Sequence, residues 1–92
     1  MQIKLDEEFE ANFEIIFRYI SQDKVSAAKE FKKSLFKQIK NIPLFPYKYR
    51  QSIYFENEDI RDMIFKGYTI VYKIDTQKNL IIIADIFNQN KR

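Results

Sequence analysis

Apolar residues recur along this chain at two periods, and the change of period marks its architecture. Phe9, Phe13, Ile16 and Ile20 are spaced by four, three and four residues, which puts one apolar stripe on one face of a helix. Asp6 stands where an N-cap is wanted, and Glu7, Glu8 and Glu10 favour the positive end of the helix dipole. Ser21, Gln22 and Asp23 interrupt the stripe, and Asp23 or a neighbour is positioned to cap a second helix. That helix carries Ala28, Phe31, Leu35, Ile39 and Ile42 at the same spacing, with Lys29, Lys32, Lys33, Lys37 and Lys40 around the rest of its circumference. Pro43 and Pro46 end it, because proline supplies no N–H and disfavours helix at the residue before it. Two helices with a short break and one stripe each predict an antiparallel hairpin.

The alternation of Gln2 to Leu5 places Ile3 and Leu5 on one face of a short strand ahead of the helices. After them, residues 43–57 (PLFPYKYRQSIYFEN) form a connection rich in aromatics and bases, a loop with content of its own. The period then becomes two: Ile60, Asp62 and Ile64 alternate with Arg61, Met63 and Phe65. Lys66-Gly67 reads as a tight turn, Tyr68 to Asp75 as its partner strand, Thr76 to Lys78 as a second turn and Asn79 to Phe87 as a third strand. The unbroken apolar stretch in that last strand predicts burial on both faces, as for a central strand. The order is β-α-α-β-β-β, an α+β fold with the helical hairpin on one face of a small, mainly antiparallel sheet and the N-terminal strand at its edge. The length of 92 residues supports a single domain, 1–92.

Composition then removes much chemistry. The absence of Cys and His excludes disulfides, thiol nucleophiles, Cys/His zinc sites and any imidazole base, and no cofactor or metal is expected. The acidic start MQIKLDEEFEANF lacks the basic segment and apolar run of a signal peptide, and the longest apolar run, Leu80 to Ala84, is five residues. A soluble cytoplasmic protein without a membrane partner is expected. Five acids and no base lie between Asp6 and Glu14, whereas six lysines accompany Glu30 between Lys24 and Lys40. Such runs are first the solvated faces of two helices; they also suit a polyanion or an acidic partner.

The ordered set Ile60-Arg61, Gly67-Tyr68-Thr69-Ile70-Val71-Tyr72 and Ile81-Ile82-Ile83-Ala84-Asp85-Ile86-Phe87 resembles the RelE/ParE superfamily of toxins from type II toxin–antitoxin systems. Pro46 and the Tyr49-Arg50 step sit where that family often has a proline and basic residues. The resemblance implies a toxin neutralised by a cognate antitoxin that wraps it as a helix or an added strand. It also implies one of two targets, ribosome-bound mRNA for RelE-like endoribonucleases or DNA gyrase for ParE-like inhibitors. Direct DNA binding is not implied, because operator contact in the family usually comes through the antitoxin.

RNA cleavage through the 2′-hydroxyl needs groups that remove a proton, neutralise the phosphorane and protonate the leaving oxygen. RelE-like toxins without His use clustered Arg and Lys on the sheet with a late aromatic hydroxyl. Here Arg61 occupies one such position, but Met63 and Phe65 follow it on the same face and no Tyr comes after Tyr72. A nuclease would have to recruit Arg61, Arg50, Lys66, Lys91 and Arg92, with Lys48 also at hand. The sequence therefore leans toward a ParE-like inhibitor that binds its target, with Arg50, Arg61, Lys33, Lys37 and Lys40 as candidates for target or antitoxin contact. A non-toxic module that keeps the fold is the third reading. Simpler roles are expected for several of these residues: Arg61 pairing with Asp85 or Asp62, Tyr68 and Tyr72 as core aromatics with wet hydroxyls, and Tyr47, Tyr49, Tyr54 and Phe55 packing over the end of the core.

Overall fold

The computed structural model describes residues 1–89. Its elements are β1 (Gln2–Leu5), α1 (Glu7–Asp23), α2 (Val25–Asn41), a 3-10 turn (Ile42–Leu44), β2 (Arg50–Gln51), β3 (Ile60–Phe65), β4 (Tyr68–Asp75) and β5 (Leu80–Asn88). They form a five-stranded sheet in the order β1-β5-β4-β3-β2, with β1 parallel to β5 and every other pair antiparallel. The expected α+β order is found with one addition. The connection after Pro43 contains a strand, β2, whose two residues are too few to show a period.

Asp6 caps α1 as expected, its carboxylate accepting the Glu7 N–H at 2.8 Å. The break between helices is narrower than the sequence suggests. Helix α1 runs through Asp23, and Lys24 alone leaves helical geometry, at φ −157° and ψ 117°. Asp23 is thus the last helical residue and caps nothing. Lys66 and Gly67 both take positive φ, 48° and 84°, the geometry of the tight β3–β4 hairpin.

The core lies between the helical hairpin and one face of the sheet. Phe9 and Phe13 from α1 meet Phe31, Leu35 and Ile39 from α2, and both sets rest on Met63, Ile70, Tyr72, Ile74, Ile81, Ile83 and Ile86. The ring centroids of Phe13 lie 6.3 Å from Phe31 and 5.4 Å from Phe36, fixing how the helices pair. Full burial of each aliphatic side chain contributes about 1.5–3 kcal/mol.

Strand β5 departs from simple alternation. Val71 pairs with Asp85 but Tyr72 pairs with Ile83, so Ala84 is bulged, and Ile86 faces the helices together with Ile81 and Ile83. Ile82, Leu80 and Phe87 are only half-buried, so β5 is buried on the helix face rather than on both; the centre of the sheet is β4, where Thr69 to Tyr72 are buried on both faces. Met63 and Phe65 also face the helices. Met63 is fully buried, and Phe65 lies against Phe31 with centroids 5.7 Å apart. Their apolar character reflects the core and says nothing of an exposed catalytic surface.

Candidate functional site

The chain beyond Pro46 wraps the end of the sheet, and there the candidate residues of the sequence meet their surroundings. Tyr72, fully buried on β4, donates its hydroxyl to the Pro46 carbonyl. The hydroxyl expected to be wet is instead an internal anchor, and burial pushes its pKa up. Tyr68 keeps partial exposure and is raised in the same direction by burial, its ring edge-on to Phe31 at 5.3 Å.

Arg61 makes neither of its expected ion pairs. Its Nε donates to the Glu58 carbonyl at 2.9 Å, its guanidinium donates to the Tyr49 carbonyl at 3.2 Å, and its Cζ stands 4.9 Å over the Tyr47 ring. Tyr47 in turn donates to Asp59 at 2.8 Å, a bond that raises the phenol's pKa. Arg61 thus binds the loop down. The carboxylates expected for it are engaged elsewhere: Asp85 accepts from Asn12, and Asp62 lies on the opposite face.

That face carries the second arginine. Asp62 is fully buried, accepts the Ile53 N–H at 3.1 Å and lies 3.5 Å from the Arg50 guanidinium. Arg50 pairs across the strands with Asp62, and Gln51 with Arg61, so Arg50 and Arg61 stand on opposite faces of the sheet. The loop beyond β2 then turns under the outer face, where Tyr54 meets Phe87 edge-on at 5.2 Å. Of the four aromatics expected over the end of the core, Tyr49 packs there, 6.4 Å from Tyr72, whereas Tyr47 and Phe55 are exposed and Tyr54 lies under the outer face.

Lys66 sits at the hairpin turn, its ammonium 5.3 Å from the Phe65 ring. Lys33, Lys37 and Lys40 are exposed on α2, at the i, i+4, i+7 spacing of one stripe. Lys91 and Arg92 lie outside the described residues. The candidates therefore divide among two sheet faces, a turn, a helix and the connecting loop, where Lys48 stands 5.6 Å over the ring of Tyr49, the residue whose carbonyl Arg61 holds. Sequence reasoning missed Asp62 as the carboxylate that organises the β2–β3 end. Its signal was an acid at an otherwise apolar alternating position. Asn12 and Asp85, joined at 2.7 Å across α1 and β5, were also missed. A cavity of about 480 Å³ opens beside them, lined by Ile15, Ile16, Tyr19, Tyr68 and Ile86.

Among the described residues no group of three or more Asp and Glu could hold a metal ion, and no helix is long and apolar enough to cross a membrane. The family model described as the ParE toxin of type II toxin–antitoxin system, parDE, matches residues 3–92. Curated proteins give no match. Among solved structures, a chain of the chromosomal ParDE toxin–antitoxin system from P. aeruginosa superimposes with a TM-score of 0.77 at 16% identity, over 96% of this chain and 95% of that one. A chain of the intact E. coli RelBE toxin–antitoxin complex gives a TM-score of 0.60 at 15% identity, over 99% and 98%. Both likenesses are of fold, two helices on a mixed five-stranded sheet.

Proposed function

The chain belongs to the ParE toxin family of type II toxin–antitoxin systems, and from that premise we propose that it arrests growth by binding DNA gyrase, without catalysis of its own, and is neutralised by a cognate antitoxin. The observation that carries the reading is the separation of Arg50 from Arg61. A ribonuclease of the RelE type needs its cations convergent on one phosphate. Here each arginine is turned to a different face of the sheet, one held by Asp62 and the other by two carbonyls and a tyrosine ring. An inhibitor asks only for a stiff scaffold and a surface. The exposed lysine stripe of α2 suits an acidic segment of the antitoxin, and charge complementarity there would speed its capture.

The test is a supercoiling assay with purified gyrase. The chain inhibits it, the antitoxin encoded beside it restores it, and transcripts from induced cells remain intact. Ribosome-dependent transcript cleavage on induction would replace this reading with the endoribonuclease. Overexpression without any growth defect would leave a non-toxic module.

A further inference from the structure

Between Glu30 and Glu56 the chain carries six bases and no acid, and within that stretch it shows three large hydrophobic side chains to solvent almost in succession. Leu44 is 69% exposed, Phe45 71% and Tyr47 46%, whereas Ile42 just before them is fully buried. The backbone beneath them is fastened. The Phe45 N–H donates to the Ile42 carbonyl at 3.2 Å, and the Lys48 N–H donates to the Phe45 carbonyl at 3.0 Å, closing a turn with Pro46 at its second position. Tyr72 holds the Pro46 carbonyl and Arg61 the Tyr49 carbonyl. Tyr47 is tied to Asp59 and covered by the Arg61 guanidinium. Apolar bulk thus stands in water on a clamped turn, where a partner can bury it with little left to order.

Building on the reading of the chain as an inhibitor that binds, we infer that Leu44 and Phe45 are the tip that grips the target, seated in an apolar pocket with an acidic rim. The flanks set the charge. Helical backbone continues through Asn41 and Ile42, so Lys40 lies one turn from Leu44. Lys48 stands beyond the turn, exposed, its ammonium 5.6 Å from the Tyr49 ring. Neither lysine has an ion-pair partner among the described residues. On the Tyr47 side the charges of Glu58 and Asp59 are opposed by Arg61. A phosphate backbone meets both lysines but leaves the two apolar side chains in water. An anionic membrane takes all four residues but asks for no fixed shape. A protein pocket uses the charge, the apolar bulk and the rigidity together.

Phe45→Ser and Leu44→Ser test the tip, with Val25→Ser as control. Val25 is 55% exposed at the opposite end of α2, so its replacement changes surface apolarity alone. Phe45→Ser raises the concentration that half-inhibits gyrase supercoiling by about tenfold or more and Leu44→Ser by about fivefold, while Val25→Ser leaves it unchanged. Lys48→Glu weakens inhibition by about tenfold at low salt and by much less at high salt. All four variants keep the native melting temperature, since every replaced residue is exposed. Full inhibition by Phe45→Ser and Leu44→Ser overturns the tip and leaves the inhibitor reading standing; full inhibition by Lys48→Glu overturns the acidic rim. If the native chain spares gyrase, that reading falls and growth arrest on induction judges the tip. Arrest lost in Phe45→Ser then supports it against another target, and arrest retained overturns it. Co-sedimentation with phosphatidylglycerol vesicles that Phe45→Ser abolishes gives the tip to a membrane and overturns the protein pocket. So does a native dimer that Phe45→Ser dissociates.

Discussion

At one side of the sheet β1 accompanies β5 over four residue pairs and departs; at the other, β2 accompanies β3 over only two. Both leave backbone that could pair with another chain, the hazard of any small sheet. The β5 flank is blunted by a single carboxylate, that of Asp85, which accepts the Ile86 N–H and is oriented by Asn12. The β2–β3 flank is wrapped instead. Pro46 is tied to Tyr72, Tyr49 to Arg61 and Ile53 to Asp62, so the connection is fastened on both faces. A guard of one side chain can move aside without unfolding anything, whereas a wrap of several bonds opens only with the core beneath it. The first flank is therefore the yielding one and the second the rigid one.

Substitutions can break this contrast. The largest effect is expected at Tyr72→Ala, which empties a fully buried site and releases Pro46, at a cost of about 3–5 kcal/mol read from denaturant unfolding. Asp62→Ala removes the buried acceptor of Ile53 and strands Arg50. The arginine is 44% exposed and can turn to solvent, so we expect a loss of about 2 kcal/mol, with faster exchange across residues 52–57.

Tyr72→Phe keeps the ring and deletes one hydrogen bond, worth about 1 kcal/mol near neutrality. Its clearer signature is in alkali. The folded phenol titrates above its unfolded value of 10.0, so its contribution is whole below pH 10 and lost as pH rises toward the folded value. The phenylalanine variant should show a flatter alkaline limb in a pH series of melting temperatures. The smallest effect belongs to Glu14→Gln. Its pair with Arg18 joins side chains 56% and 75% exposed on α1, and its removal should shift stability by less than about 0.5 kcal/mol, an effect that added salt erases.

The sequence carried the helices and the meander well because both rest on local periodicity. Phe9, Phe13, Phe31, Leu35 and Ile39 announce their buried faces through spacing alone. Strand β2 was not legible, since two residues show no period and their pairing follows from a contact twelve positions away. Arg61 was legible as a position but not as a contact. Its partners are two carbonyls and a ring, and carbonyl acceptors leave no mark in side-chain chemistry. Asp85 was visible as an acid in an apolar strand, yet its task depends on where β1 stops.

The bulge at Ala84 gives β5 a further property. The strand is two shorter ones joined by a spare link, the first in step with β1 and the second in step with the β4 hairpin. Excising Ala84 would leave Ile83 and Ile86 both facing inward, because the remaining residues already alternate on either side of it. The length of this strand is adjustable at that one point, and the twist that a bulge adds turns the distal half away just where β1 ends.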